Sequence, residues 1–418
     1  MGVLFYNIFL LLFKFSAKVS SLFNLKAAKW QKGRKNIFEH LQQAIPENEK
    51  IIWMHCSSLG EFEQGRPVIE QLKILYTDYK ILLTFFSPSG YEVKKDYDGA
   101  DWVFYLPIDG PKNAKRFLEI THPGLVIFVK YEFWYYYLKK IKYRNIPLLL
   151  ISALFLKDMA FFKWYGSLQR KMLSRFDHLF VQNESSKKLI DGIGLASICS
   201  VSGDTRFDRV IEIAEKFEPI PFIEKFIGSD KCIVAGSTWK EDEGVLSQLD
   251  ISENKIKLII APHEITESHL DDIKKLFPLS IRLSELVTSN PQPATGNTLI
   301  IDSIGLLSRL YKYATITYVG GALKPIGVHN VLEAAVYGKP VLFGPYYNKY
   351  IEAAELVQCG GGLSFSDTAS LQEKIDMLLK NENEYIKTCK VSEKYVISKK
   401  GATQKIIQFI QEKRLLTN

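Results

Sequence analysis

From residue 51 onward the chain alternates short apolar runs with longer stretches of helical periodicity. IIWMH, KILLTFF, WVFYLP, LVIFV, IPLLLIS, HLFVQ and ICSVSG follow one another in the first half. Strands separated by helix-length segments predict a parallel sheet with crossover helices. Between Val210 and Ser229 the rhythm stops at IEIAEKFEPIPFIEKFIGS, whose prolines and mixed charge read as a linker. It resumes as CIVAGS, KLIIAP, NTLIID, TITYVGG, PVLFGP and GGLSF, which predicts a second sheet of the same kind. The pattern places an N-terminal α/β domain over 36–212, a linker over 213–228 and a C-terminal α/β domain over 229–402. A final helix over 403–418 is expected to pack back on the body.

The amino end reads differently. Val3 to Phe13 is apolar apart from Asn7, and is shorter than the roughly 20 residues a spanning helix requires, although Lys14 and Lys18 can snorkel to extend it. No small-residue cleavage site of the A-x-A kind follows, which disfavours a secretory signal. Lys26, Lys29, Lys32, Arg34 and Lys35 come next, a run suited to anionic headgroups that keeps the following domain cytoplasmic by the positive-inside tendency. Residues 1–35 are therefore expected to anchor the chain to a membrane on its cytoplasmic side, either spanning it or lying in its surface. Of the formal charge of +8, about +5 falls in residues 1–50, so the basicity belongs to this segment and does not suggest nucleic acid.

Two Rossmann-like α/β domains facing across a cleft fit a dehydrogenase pair, a periplasmic-type binding protein or a two-domain B-type (GT-B) glycosyltransferase. No GxGxxG follows an early strand with an acid about twenty residues on, and no GxxxxGK[ST] appears, so nicotinamide and P-loop chemistry are disfavoured. The five cysteines have no CxxC spacing and no histidine partners, and no DxD-type pair follows a strand, so neither a metal nor a cofactor is expected.

Two stretches carry candidate chemistry. HCSSLGEFE breaks a strand at small residues and enters a helix. Either Ser57 or Ser58 caps that helix, with Glu61 completing a capping box, or Glu61 is a general base at the carboxyl edge of the sheet. VGGALKPIGVHNVLEAAVYGKPVLFGP, from Val319, flexes a loop on Gly320, Gly321 and Gly327 and then opens a helix. A helix amino end there suits a phosphate, and Glu333 one turn in can accept both hydroxyls of a ribose. The plainer alternative is a tight crossover with a solvated Glu333. The aromatics of YEFWYYYLKK and FLKDMAFFKWYG fit either a lipid-facing surface or ordinary core packing. His55, His40, His122, His178 and His269 read as structural.

The ordered set HCSSLGE, VKYEFW, GDTRFD, GSTWKEDE, APHE and GVHNVLEAAVYGKPVLFGP resembles the transferases of 3-deoxy-D-manno-octulosonic acid (Kdo) in lipopolysaccharide synthesis. The resemblance covers nearly the whole chain. It implies an inverting glycosyltransferase that moves Kdo from CMP-Kdo onto a lipid A precursor (lipid IVA) at the cytoplasmic side of the inner membrane. It also implies a catalytic base at Glu61 and transition-state support from Glu132 and Arg206. Nucleotide contacts are implied at Pro262 and His263, at Ile304, Gly305 and Leu306, and at Asn330, Val331, Leu332 and Glu333. Gly236, Ser237, Thr238 and His329 join them as sheet-edge turn residues. Three positions depart from the family's usual residues: Arg206 stands for Lys, His263 for Arg and Leu306 for Glu. The competing expectations are a membrane-associated GT-B enzyme using a UDP-sugar and a non-catalytic nucleotide sensor on the same fold.

Overall fold

The computed structural model describes residues 2–251, 256–288 and 296–416. The end of the expected 403–418 helix, at 417–418, lies outside these, as does Met1. The chain divides into two compact units, Met1–Arg209 with Gly401–Asn418, and Val210–Lys400.

In the first unit seven strands form one sheet. They are β1 (Ile51–Cys56), β2 (Lys80–Phe85), β3 (Trp102–Tyr105), β4 (Pro123–Val129), β5 (Leu148–Ala153), β6 (His178–Val181) and β7 (Cys199–Val201). They pair in parallel in the order β3-β2-β1-β4-β5-β6-β7. Every residue of β1 and β5 is buried. A parallel strand covered on both faces has no solvent side, so its sequence is an unbroken apolar run. Alternate residues enter opposite cores. Trp53, Leu82, Val126, Phe128 and Leu150 face one core, while Ile52, Met54, Leu83, Ile127 and Ile151 face the other.

The second of these cores is closed by the helix Leu59–Leu75, through Phe62, Val68, Ile69 and Leu72, and by the C-terminal helix Ala402–Glu412, through Ile406, Ile407 and Ile410. Asp208 secures the start of that last helix by accepting the N–H groups of Gly401 and Thr403, each at 2.6 Å. Residues 213–228, read above as a linker, hold the end of the helix Thr205–Glu215 and the helix Pro221–Ile227. The reason is that Pro221 sits in the first turn, where its missing N–H would have had no partner, and so begins a helix there.

The second unit repeats the architecture with β8 (Lys231–Thr238), β9 (Ile256–Pro262), β10 (Ile281–Arg282), β11 (Thr298–Ile300), β12 (Ile316–Val319), β13 (Val341–Phe343) and β14 (Gly362–Ser364). Their order is β10-β11-β9-β8-β12-β13-β14, again parallel throughout. Each sheet reverses its winding at one place, between β1 and β4 in the first unit and between β8 and β12 in the second. The loops leaving two adjacent strands diverge at such a point, opening a crevice at the carboxyl edge.

The helix Gly2–Ser20 is long and apolar enough to cross a membrane, by length and composition only. One side of it is held by the first unit: Tyr6 donates to Asp109 at 2.6 Å, Asn7 accepts from Tyr136 at 2.7 Å, Leu10 is buried, and the Phe13 ring meets Trp30 and Phe86. The other side leaves Leu4, Phe5, Ile8, Phe9, Leu11, Leu12 and Phe15 exposed. Arg34, counted above among the headgroup-facing cations, is half-buried and turned toward the protein. Its guanidinium donates to the carbonyls of Leu106, Phe86 and Trp30 and lies over the rings of Trp30, Phe86 and Tyr105. Burial lowers its pKa to about 9.

Candidate functional site

The first crevice lies beyond β1 and β4. Ser58 is the residue before the helix Leu59–Leu75, and Glu61 stands in that helix's first turn. The text S-x-x-E permits a capping box, but the box is not formed: the Ser58 side chain makes no bond to the backbone amides and its hydroxyl donates to the Glu61 carboxylate instead. Glu61 is half-buried. On the neighbouring strand, Lys130 takes a left-handed conformation (φ 66°) just past β4, and Glu132 follows. Glu132 is buried, and its Oε2 receives the Trp134 indole N–H at 2.6 Å and faces His55 Nε2 at 2.8 Å. Both carboxylates bear on the end of β1. Burial, then the charges of Glu61 and Glu132, push the Cys56 thiol up, and Tyr131 is pushed up to about 12 by partial burial and by Glu61.

One turn beyond Glu61, the Gln64 amide donates to both oxygens of Asp204 at 3.2 Å. Asp204 also accepts from Arg206, through Nε at 2.9 Å, an Nη at 2.7 Å and the backbone N–H at 2.9 Å. Burial opposes ionisation of Asp204, but the Arg206 charge and these hydrogen bonds outweigh it and hold the carboxyl below its usual range. Arg206 is thus an ion-paired cation aligned by Asp204. The Thr205 hydroxyl beside it donates to the Gln64 carbonyl and meets the Ser152 hydroxyl at 3.0 Å. Ser152, in β5, is itself left-handed at φ 52°. Non-glycine residues in this region cost of order 1–2 kcal/mol each, and here they sit at the carboxyl ends of central strands.

The second crevice gathers the remaining candidates. Gly236, Ser237 and Thr238 are the last residues of β8, with Ser237 left-handed at φ 53°, rather than a turn after it. Pro262 ends β9, and the His263 N–H donates to the Thr238 carbonyl at 2.9 Å. Ile304, Gly305 and Leu306 follow β11. After β12, Gly321 has φ 92°, and a Cβ there would meet the Gly327 carbonyl at 2.6 Å and the His329 ring at 2.8 Å. The expected helix at Asn330 is a single turn, Leu332–Ala335, that ends before the left-handed Gly338 (φ 62°), and Asn330 occupies its start: Oδ1 accepts the Leu332 N–H at 3.2 Å and Nδ2 donates to Glu333 at 2.9 Å. The amides available to an anion at this point are accordingly fewer than the sequence suggested.

Asp242 ties the two loops of this crevice together. It is buried, accepts the N–H groups of Trp239 and Gly321 at 2.9 Å on Oδ2, and takes the Tyr318 hydroxyl at 2.7 Å on Oδ1. Burial raises its pKa while these donors oppose the rise. Thr238 is fixed in turn by Glu243, whose other oxygen meets His269 Nε2 at 2.9 Å.

Above this clamp three rings stack. Trp239 and His263 have centroids 4.7 Å apart, and His263 and His329 4.4 Å. The Trp239 indole N–H donates to His329 Nε2 at 2.9 Å. Burial and the adjacent His263 depress His329 to about 4, and burial lowers His263 as well. A protonated His329 would set two N–H groups against each other. The unfolded chain binds this proton near pH 6.5 and the folded chain does not. The stability contributed by this group is therefore complete above about pH 6.5 and lost as pH falls toward 4. Between about pH 7 and pH 5 the wild-type melting temperature should fall more steeply than that of His329→Asn; parallel slopes would contradict the assignment. Among the described residues, no group of three or more His, Cys, Asp or Glu stands where it could hold a metal ion.

With this geometry in view, residues 32–209 match the family described as 3-Deoxy-D-manno-octulosonic-acid transferase (kdotransferase). The 3-deoxy-D-manno-octulosonic acid transferase of Aquifex aeolicus is 29% identical over 386 residues, covering 90% of this chain and 99% of the relative. That of Haemophilus influenzae is 27% identical over 378 residues, covering 86% of each. Over most of its length the chain is similar to Kdo transferases, and the family model itself covers residues 32–209. Solved structures agree on the fold. A glycosyltransferase from Rickettsia africae superposes with a TM-score of 0.56 at 15% identity, over 89% of this chain and 100% of that one. A UDP-GlcNAc 2-epimerase from Neisseria meningitidis, bound to UDP-GlcNAc, gives 0.61 at 18% identity over 87% and 100%.

In this chain, then, the first unit brings Glu61, Glu132 and Arg206 onto one connected scaffold, and the second unit brings the nucleotide candidates to the ends of β8, β9, β11 and the loop after β12. Sequence reading missed Asp204, Trp239 and Asp242 and set His55 aside. Only Trp239 left a local signal, as an aromatic directly after Gly-Ser-Thr.

Proposed function

We propose that the chain transfers Kdo from CMP-Kdo to a lipid A precursor, with inversion, at the cytoplasmic face of the inner membrane. The observation that carries the catalytic part is the Ser58–Glu61 pair. A carboxylate in the first turn of a helix that is not used to cap it, and that is oriented by a donated hydroxyl, is placed to accept a proton. Glu61 takes the proton of the acceptor hydroxyl as that oxygen attacks the anomeric carbon from the face opposite the departing CMP. The new C–O bond forms as the bond to phosphate breaks, and one base suffices for inversion. Glu132, nearly dry and therefore weakly screened, opposes the positive charge that develops at the sugar. Arg206 supplies the opposite sign, held in place by Asp204. The second unit holds the nucleotide: Glu333 toward the ribose, and the Gly-Ser-Thr end of β8 with the loop from Gly320 to Asn330 around the phosphate.

CMP should therefore raise the melting temperature while UDP at the same concentration does not, since a ligand that binds only the folded state stabilises it. Protection by UDP and not by CMP would move the donor to the UDP-sugars.

The membrane reading is in-plane. Residues 3–13 of the first helix make polar and aromatic contacts with the first unit along one side, and the exposed apolar side suits the headgroup boundary. Lys14 and Lys18 on the same helix, and Lys26, Lys32 and Lys35 beyond it, supply charge toward anionic lipid. Replacing Phe5, Phe9 and Leu12 together by Asp should release the protein from vesicles of anionic phospholipid in flotation. Retention of the triple variant on those vesicles would refute this placement.

A further inference from the structure

His55 is fully buried at the end of β1, and both ring nitrogens are engaged. On one side, Nδ1 lies 2.9 Å from the Thr84 hydroxyl and 3.0 Å from the Thr84 carbonyl. The Thr84 hydroxyl oxygen accepts the Trp53 indole N–H at 2.7 Å. On the other side, Nε2 lies 2.8 Å from Glu132 Oε2, an oxygen that already accepts the Trp134 indole N–H. An oxygen so engaged presents a lone pair to the imidazole, so the network assigns hydrogen to Nε2 however Nδ1 is satisfied. With Nδ1 accepting from the Thr84 hydroxyl, the relay runs from Trp53 through Thr84 and His55 to Glu132, and links β2, β1 and the segment just past β4. His55 and Glu132 are separated by 77 positions in sequence and meet because β1 and β4 are neighbours at the switch point.

We propose that His55 is a positioning residue of the transfer reaction, which aims the Glu132 carboxylate by donating Nε2–H to it. This rests on the reading of Glu132 as support for the transition state. A ring locked between two strands holds one donor in a fixed direction, and a second donor from Trp134 meets the same oxygen, so Oε2 is held from two sides. A residue kept only for packing would need neither the Thr84 relay nor a hydrogen aimed at an acid in the crevice.

The test is a double-mutant cycle on the full-length protein, with turnover and KM for CMP-Kdo measured separately. His55→Leu should lower kcat about tenfold or more, the usual scale for a lost hydrogen bond to a charged group, with KM changed by less than about threefold. His55→Gln, whose amide N–H can reach the Nε2 position, should recover part of the loss. His55→Leu added to Glu132→Gln should cost nothing beyond Glu132→Gln alone. Thr84→Val, which removes the relay hydroxyl with little change in shape, should show the same non-additivity and keeps the test open if His55→Leu folds poorly. Additive losses, or a kcat unchanged by both His55→Leu and Thr84→Val, would overturn the inference. A fully active Glu132→Gln would remove the reading of Glu132 beneath it, an outcome distinct from additivity.

Discussion

Glu61→Gln should lower Kdo turnover at least about a hundredfold, the scale of a lost general base. The variant keeps the size of the side chain and can still accept from the Ser58 hydroxyl, so the helix Leu59–Leu75 and its packing through Phe62 should be preserved. What it loses is the ability to take a proton. Donor binding should survive, because the residues assigned to the nucleotide belong to the other unit: protection by CMP should match wild type while kcat collapses. Ser58→Ala should fall between the two, as it removes the orienting hydroxyl and leaves the base. A Glu61→Gln enzyme that transfers at the wild-type rate would return Glu61 to a structural role.

Asp242→Ala should be among the most destabilising single changes in the second unit. It strands the Trp239 and Gly321 N–H groups and the Tyr318 hydroxyl in a buried site, where unpaired donors cost about 1–3 kcal/mol each. A total of roughly 3–5 kcal/mol would lower the melting temperature of a domain this size by about 10 °C. Asp242→Asn retains one acceptor oxygen and should lose less. Because the stranded donors belong to the loops after β8 and β12, protection by CMP should disappear in Asp242→Ala even at temperatures where the fold persists. A loss below about 1 kcal/mol, with CMP protection intact, would show that the loops do not depend on the clamp.

These residues also show how much of the site can be read from the chain. The sheets were legible because parallel strands covered on both faces must be apolar throughout, and the crossover lengths fix the connections. The position of Glu61 was legible too, but not its use. Ser-Leu-Gly-Glu spells a capping box and an oriented base equally well, and only the direction of one hydroxyl separates them. Asp242 lies in KEDE, which reads as a solvated acidic first turn, yet two of its three partners are 76 and 79 positions away. Arg34 sits in a basic run and reads as a surface cation, but three aromatic rings and three carbonyls enclose it. For Asp242 and Arg34 the missing information is the strand order, which brings distant segments together without a local trace in sequence.

Kdo transfer by this chain is tested most directly with freshly generated CMP-Kdo and a tetraacylated lipid A precursor in detergent, read as the mass of the acceptor. The wild-type chain should add one or more Kdo units to the acceptor, and Glu61→Gln none. An acceptor that stays unmodified by CMP-Kdo, while a UDP-sugar added in its place is transferred, would contradict this assignment.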